Sequence, residues 1–454
     1  MGFTVVNPTD GVVLAEIPAW DESQIDQALA QVAAITPRWA ATPVAERCAL
    51  MRRAGAELRS RREDLARLMT QEMGKLIGEA RGEVEKCAWV CDYNADHAEG
   101  MLRNEPCETD ASKSYVAFLP LGTVLAVMPW NFPLWQVFRF AAPALCAGNT
   151  GVLKHASNVP QCALAIEEVF RAAGFPEGVF RTLMISAAQV QKVIEDARVH
   201  AVTLTGSEPA GRKVAAIAGA NLKKSVLELG GSDAFIVLED ADLDLTVQNA
   251  VASRFLNGGQ SCIAAKRFIV VDAVAEDFLA RFKAAVEALQ PGDPLQEGTT
   301  LAPMARSDLR DELHSQVSDS IAAGAVAVTG CAPLPGTGAF YKASIIDQVS
   351  PGMRAYHEEL FGPVAIVIRA RDEDDAVRIA NDCPYGLGGS VWTRNTARGE
   401  HVALQLQSGA SFVNGLVKSD PRLPFGGVKN SGYGRELSHF GLREFVNVKT
   451  VWIR

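Results

Sequence analysis

A chain of 454 residues exceeds what one hydrophobic core can serve, since single cores stop growing at roughly 250 to 300 residues, so two or three domains are expected. An apolar share of 48% with 21% charged residues excludes the disordered and fibrous classes. A net charge of −9 without a long run of Lys and Arg argues against nucleic acid as a partner.

The first residues, MGFTVVNPTDG, lack the basic region and apolar run of a signal peptide, so a cytoplasmic protein is expected. From Asp21 to about Gly100 apolar residues recur three and four apart with charges between them, which predicts amphipathic helices. The stretch from Ser114 to Phe138 carries no charge and is long enough to span a bilayer. Pro120, Gly122, Pro129, Asn131 and Pro133 interrupt it, so TVLAVMPW reads as a buried strand running into a turn, and no membrane partner is expected.

From about residue 115 short apolar runs alternate with amphipathic segments: TVLAVMPW, NTGVLKH, VFRTLMI, AVTLTG and KKSVLELGG, each followed by a helical pattern or a glycine turn. This rhythm predicts an α/β fold with a doubly wound parallel sheet, whose ligands bind at the carboxyl ends of the strands. A second α/β unit begins at FIVLED, and the tail GLREFVNVKTVWIR, rich in β-branched residues, predicts an added strand.

Nine scattered cysteines, an odd number, suit reduced thiols. Cys87, Cys91 and His97 come nearest to a metal cluster, but the i, i+4 spacing of the two thiols on a helix favours packing, and no metal site is expected. Cys262, in FLNGGQSCIAAKR, admits three readings: a small buried hydrophobe, a member of a disulfide or metal site, or a nucleophile. Gly258 and Gly259 favour a reactive loop, because they allow a tight turn and bring backbone N–H groups close to a substrate. Glu228 in SVLELGGSD ends a predicted buried strand, where desolvation raises a carboxyl pKa and suits a general base. Asn131 in MPWNFP lies between prolines that fix the backbone, and its amide can donate to a developing oxyanion. In LTGSEPAG, Gly206 and Gly211 bracket a strand-to-helix turn suited to a phosphate, although the pattern is neither G-x-G-x-x-G nor a Walker loop.

Together MPWNFP, LTGSEPAG, LELGG, FLNGGQSC, EELFGPV and PFGGVKNSGYGRE resemble, in this order and from end to end, the NAD(P)-dependent aldehyde dehydrogenase superfamily. The 34 residues separating Glu228 from Cys262 also match that family's pattern. The resemblance implies a Rossmann-type cofactor domain (1–102 and 120–229), an α/β catalytic domain (230–432) and a β oligomerisation arm (103–119 and 433–454). It implies attack of Cys262 on an aldehyde, an alkoxide held by Asn131 and the Cys262 N–H, and hydrolysis of a thioester by water that Glu228 activates. Pro129, Trp130, Lys154, Ser157, Gly206, Ser207, Gly211, Leu229, Glu359 and Phe361 are its implied contacts to NAD or NADP. Ser157 stands where many members carry a glutamate that would repel a 2′-phosphate, so NADP is tolerated and both dinucleotides stay open. A homodimer or homotetramer is the implied assembly.

Within the family the chain is most similar to the short bacterial succinate-semialdehyde dehydrogenases. That likeness implies a carboxylate-bearing aldehyde held by Arg139 and Ser419, with a salt bridge as the alternative use of Arg139. Leu256 replaces a second arginine expected before the nucleophile, and Arg422 and Arg254 are the candidates to compensate. A dehydrogenase of other small aldehydes is the alternative function, and a non-catalytic structural relative the remote one.

Overall fold

The protein is described by a computed structural model covering residues 2–454. Two parallel sheets organise it. The first has six strands in the order Gly432–Tyr433, Lys224–Glu228, Ala201–Thr205, Thr123–Met128, Thr150–His155 and Phe180–Thr182. All neighbours are parallel except Gly432–Tyr433, which runs antiparallel to Lys224–Glu228. The strand Ala201–Thr205 is buried along its whole length, which is why its sequence is apolar without alternation.

The second sheet has seven strands: Val326–Thr329, Ser344–Asp347, Val364–Ala370, Ala265–Val271, Asp233–Val237, Gly388–Trp392 and Ala410–Val413. Only the edge strand Val326–Thr329 is antiparallel. A separate three-stranded sheet joins Glu105–Pro106, Lys113–Pro120 and Val446–Ile453, all antiparallel.

Two segments differ from the sequence reading. Gly2–Val6 and Val13–Pro18 form an antiparallel hairpin ahead of the helices, closed by the NPTDG turn. Tyr433 pairs with Leu227 of the first sheet and a helix follows at Ser438–Glu444, so the C-terminal contribution to the three-stranded sheet is Val446–Ile453 and does not extend back to residue 433. Gly432 and Gly434 take positive φ there, which bends the chain back onto the first sheet.

The sheets face each other across a cleft with opposite polarity. Asn131, Gly206 and Glu228 lie at or just beyond the carboxyl ends of first-sheet strands. Cys262 and Glu359 lie just before the amino ends of Ala265–Val271 and Val364–Ala370 of the second. No helix among the described residues is long and apolar enough to cross a membrane.

Candidate active site

A cavity of about 260 Å³ opens between the sheets, lined by Pro129, Trp130, Asn131, Gly206, Ser207, Leu229, Cys262, Glu359 and Phe361 among others. Residues from five separated stretches of sequence therefore meet in one place.

The loop before Cys262 is held in a left-handed path by Asn257, Gly258 and Gly259, with φ of 55°, 60° and 75°. Gly259 is required for a second reason: a Cβ there would lie 2.3 Å from the Gly362 carbonyl oxygen, on the loop that carries Glu359 and Phe361. Arg254, fully buried, ties the same two loops together. Its Nε donates to Val364 O at 2.7 Å and its Nη2 to Leu360 O at 2.9 Å and to Gly362 O. Lys266 completes the frame, donating to Ser261 O and Cys262 O at 2.9 Å each and pairing with Glu359 at 3.2 Å.

Asn131 is joined to this loop directly. Asn257 Nδ2 donates to Asn131 O at 2.8 Å, and Asn131 Nδ2 donates to Gln260 O at 3.1 Å. One amide hydrogen of Asn131 is thus used for positioning and the other is left for an oxyanion. The turn is fixed from the opposite side by His155, whose Nε2 lies 2.8 Å from Pro133 O while its Nδ1 accepts from Ala156 N. That assigns the proton to Nε2, and burial, which lowers the His155 pKa to about 4, keeps the ring neutral.

Glu228 is buried at the end of its strand, and neither carboxylate oxygen has a hydrogen-bond partner in the protein. Burial first, and the neighbouring Glu436 carboxylate second, push its pKa well above the carboxylate range against partial relief from Arg139. Burial also pushes the Cys262 thiol up to about 12, opposed by Arg139 and Lys266. In the resting site burial disfavours the ionised form of both groups.

Several residues expected to contact a dinucleotide line the same cavity. Ser207 caps the helix Glu208–Ala220 without a side-chain hydrogen bond to its first turn, so N–H groups there are available to a pyrophosphate. Glu359 pairs with Lys266 and accepts from Gly231 N at 3.2 Å, and Trp130 meets Phe361 edge to face at 5.8 Å. Ser157 is exposed in the turn after Thr150–His155, and Lys154 is half-buried with no carboxylate at ion-pair distance among the described residues. Gly211 packs closely: it lies in the first turn of its helix, where a Cβ would meet Leu229 Cδ2 at 2.5 Å.

A profile described as the aldehyde dehydrogenase family matches residues 1–451. The chain belongs to the aldehyde dehydrogenase family. It is 49% identical over 453 residues, covering both chains fully, to a probable succinate-semialdehyde dehydrogenase [NADP(+)] of Synechocystis sp.. It is 48% identical to the succinate semialdehyde dehydrogenase [NAD(P)+] Sad of Escherichia coli, covering 98% of this chain and 97% of that one. The solved structure of succinic semialdehyde dehydrogenase from Streptococcus pyogenes, in complex with NADP+, superposes with a TM-score of 0.98 at 39% identity, covering 99% of each chain.

On the substrate side of this aldehyde dehydrogenase, the residues read from the sequence have partners within the protein. Arg139 is buried, with 2% exposure, and pairs with Glu436. It also donates to the Thr205 hydroxyl at 3.3 Å and stacks its guanidinium over Phe425 at 4.6 Å. Its charge is therefore committed within the protein, the salt-bridge use of this residue. Neither candidate replacement for the missing second arginine is available: Arg254 is spent on backbone carbonyls as described, and Arg422 binds both oxygens of Asp420 at 2.8 and 2.6 Å. Ser419 is buried, and its hydroxyl accepts a hydrogen bond from Lys86 Nζ at 2.8 Å.

Lys86 was not singled out from the sequence. Arg254, Lys266, His155 and Asn257 were also missed as positioning residues, because their partners are backbone carbonyls that no motif displays. Cys87 and Cys91 are buried on the helix Ile77–Met101, and no group of three metal-ligating side chains occurs among the described residues.

Proposed function

We propose that this aldehyde dehydrogenase oxidises succinate semialdehyde to succinate, with NADP as the preferred dinucleotide. The observation that carries the reading is the joint anchoring of the Cys262 loop to Asn131 through Asn257 and Gln260, and to Glu359 through Lys266 and Arg254. One rigid frame thereby sets nucleophile, oxyanion donor and cofactor-side carboxylate at fixed separations. The relatives in Synechocystis and Escherichia coli, named for this substrate, support the choice of aldehyde.

In the mechanism the Cys262 sulfur attacks the aldehyde carbon as its proton leaves, and the carbonyl oxygen becomes an alkoxide facing the free N–H of Asn131. Glu359, Ser207 and the aromatic pair of Trp130 and Phe361 would hold the dinucleotide, whose nicotinamide would supply the acceptor for the hydride lost by the carbon bonded to Cys262 as the thioester forms. Glu228, once ionised, takes a proton from water as the water oxygen attacks the thioester carbon. The C–S bond then breaks and the carboxylic acid departs. Because the Glu228 pKa is raised, its basic form grows as pH rises, so hydrolysis accelerates with pH until that carboxyl is fully ionised.

NADP is favoured because Ser157 places no negative charge where a 2′-phosphate would lie, with the Lys154 ammonium three residues before it. The expected kcat/KM for succinate semialdehyde exceeds that for butyraldehyde by at least about 100-fold, the size of effect one buried charge contact gives. Ser157→Glu should lower the NADP-to-NAD preference at least about tenfold by like-charge repulsion. Equal values for the two aldehydes would favour the second reading, a dehydrogenase of small aldehydes in general, which Leu256 in place of the second arginine supports.

The assembly follows from the three-stranded sheet, which leaves Leu119, Val448, Trp452 and Ile453 between 43% and 61% exposed. An apolar sheet of this kind is a liability unless a second copy covers it. A homodimer or homotetramer is expected in sedimentation at micromolar concentration, and a stable monomer would reject it. Nine free cysteines suit the reducing cytoplasm as its compartment.

A further inference from the structure

Three carboxylates follow one another on the helices before the first parallel sheet: Glu72 on Arg62–Met73, then Glu79 and Glu83 on Ile77–Met101. Each accepts backbone N–H groups from a different segment of the cleft. Glu72 takes Gln161 N and Cys162 N at 2.9 Å each, at the start of the helix that follows the Ser157 turn. Glu83 takes Leu134 N at 2.9 Å and Trp135 N at 3.0 Å, just beyond Asn131. Glu79 takes Asn257 N at 3.0 Å on one oxygen and 3.2 Å on the other, in the loop that leads to Cys262.

Glu79 and Glu83 are four residues apart, so the helix presents both on one face. Lys75, just ahead of that helix, pairs with Glu83 and holds its ammonium 3.8 Å from the centre of the Phe132 ring, next to Asn131 in the same turn. Glu79 has no cation at ion-pair distance among the described residues, and its hydrogen-bond partner there is the Asn257 N–H. Burial pushes the Glu79 carboxyl pKa up, opposed by that N–H and by Lys75.

These bonds close a ring. Asn257 Nδ2 donates to Asn131 O at 2.8 Å, which joins the nucleophile loop to the oxyanion turn. Glu79 and Glu83 join each of those two segments to the same helix face. Two loops linked by one hydrogen bond can pivot about it, and attachment of both to a common rigid support removes that freedom. Asn257 also takes a left-handed φ of 55°, which a residue with a side chain keeps only where its surroundings hold it. The Glu79 contact falls on the residue that needs holding.

We infer that Glu79 is a positioning residue that sets the Cys262 loop against the Asn131 amide, from the helix face that also holds the Asn131 turn through Glu83. This rests on the proposed roles of Cys262 as nucleophile and Asn131 as oxyanion donor. Without the Glu79 acceptor the loop keeps its bond to Asn131 O but loses its second attachment, so the sulfur and the amide N–H no longer converge on one carbonyl group. Reactions of Cys262 that form no oxyanion do not need that convergence.

The test compares two rates in wild type, Glu79→Ala, Glu79→Asp and Glu79→Gln. One is kcat/KM for succinate semialdehyde per NADP-binding site; the other is the rate constant for inactivation by iodoacetamide, which alkylates Cys262 without forming an oxyanion. Glu79→Ala should lower kcat/KM about 10 to 100-fold while the inactivation rate constant stays within about threefold. Glu79→Gln, whose amide oxygen still accepts from Asn257 N, should return kcat/KM to within about threefold of wild type. Glu79→Asp keeps the charge but shortens the reach by one methylene, and should show the same split at smaller size, so the test does not depend on Glu79→Ala folding. Unchanged kcat/KM in Glu79→Ala and Glu79→Asp, even with a lower Tm, would leave Glu79 a structural residue and overturn the inference. So would a fall of both rates together, or a Glu79→Gln variant as impaired as Glu79→Ala. Wild-type turnover that survives complete alkylation of Cys262 would instead overturn the reading on which the inference rests.

Discussion

Cys262→Ala lowers kcat/KM for aldehyde oxidation by at least about 10⁴-fold, because the replaced sulfur is the atom that bonds to substrate and no second thiol stands in the cavity. Dinucleotide affinity should stay within a few-fold of wild type, since the residues assigned to NADP lie on other loops. Titration of NADP by protein fluorescence and an absorbance assay for its reduction give the two numbers. A variant that keeps measurable turnover would remove covalent catalysis from the account. One that loses NADP binding as well would show that the Cys262 loop shapes the dinucleotide end of the cleft.

The second large effect concerns Glu228. Glu228→Gln keeps the shape of the strand end but cannot take a proton from water, so hydrolysis of the thioester should slow by about 10² to 10³-fold. Attack and oxidation do not need that proton transfer. A rapid burst of reduced dinucleotide, close to one per active site, should therefore precede slow turnover. The pH dependence separates this role from a structural one. In wild type, turnover limited by hydrolysis rises with pH as the raised carboxyl ionises, whereas in Glu228→Gln that rise disappears. Full activity with an unchanged pH profile would remove Glu228 as the base.

The residues that touch substrate in this account differ in how visible they are in sequence. Cys262, Glu228 and Asn131 stand in short contexts whose glycines and prolines have local physical reasons, and the structure brings Cys262 and Asn131 together through Asn257 and Gln260. Glycines read as loop permissiveness turned out to serve contact as well: a Cβ at Gly259 would lie 2.3 Å from Gly362 O. Alternation of buried strands and amphipathic helices was enough to read the first parallel sheet and the existence of a second α/β unit, but not the full strand set of the second sheet. The hairpin at Gly2–Pro18 and the return of residues 432–444 onto the first sheet were not legible, because their strands are short or half exposed and depend on partners far away in the chain.

Charges were the least legible feature. Arg139 looked like a substrate anchor because a guanidinium in an apolar helix needs a partner, and the sequence could not reveal that Glu436 is that partner. Lys86 was not singled out at all, because its contact with Ser419, 333 residues later, is visible only in the fold. Periodicity reports which face of a helix is polar, but it does not report which partner a charge on that face meets.

The most direct test of the central claim is intact-protein and peptide mass analysis of Glu228→Gln quenched in acid seconds after mixing with succinate semialdehyde and NADP. The account predicts a succinyl adduct confined to the peptide that carries Cys262, dependent on NADP and absent from Cys262→Ala. An unmodified Cys262 under conditions where the burst of reduced NADP is seen would contradict it.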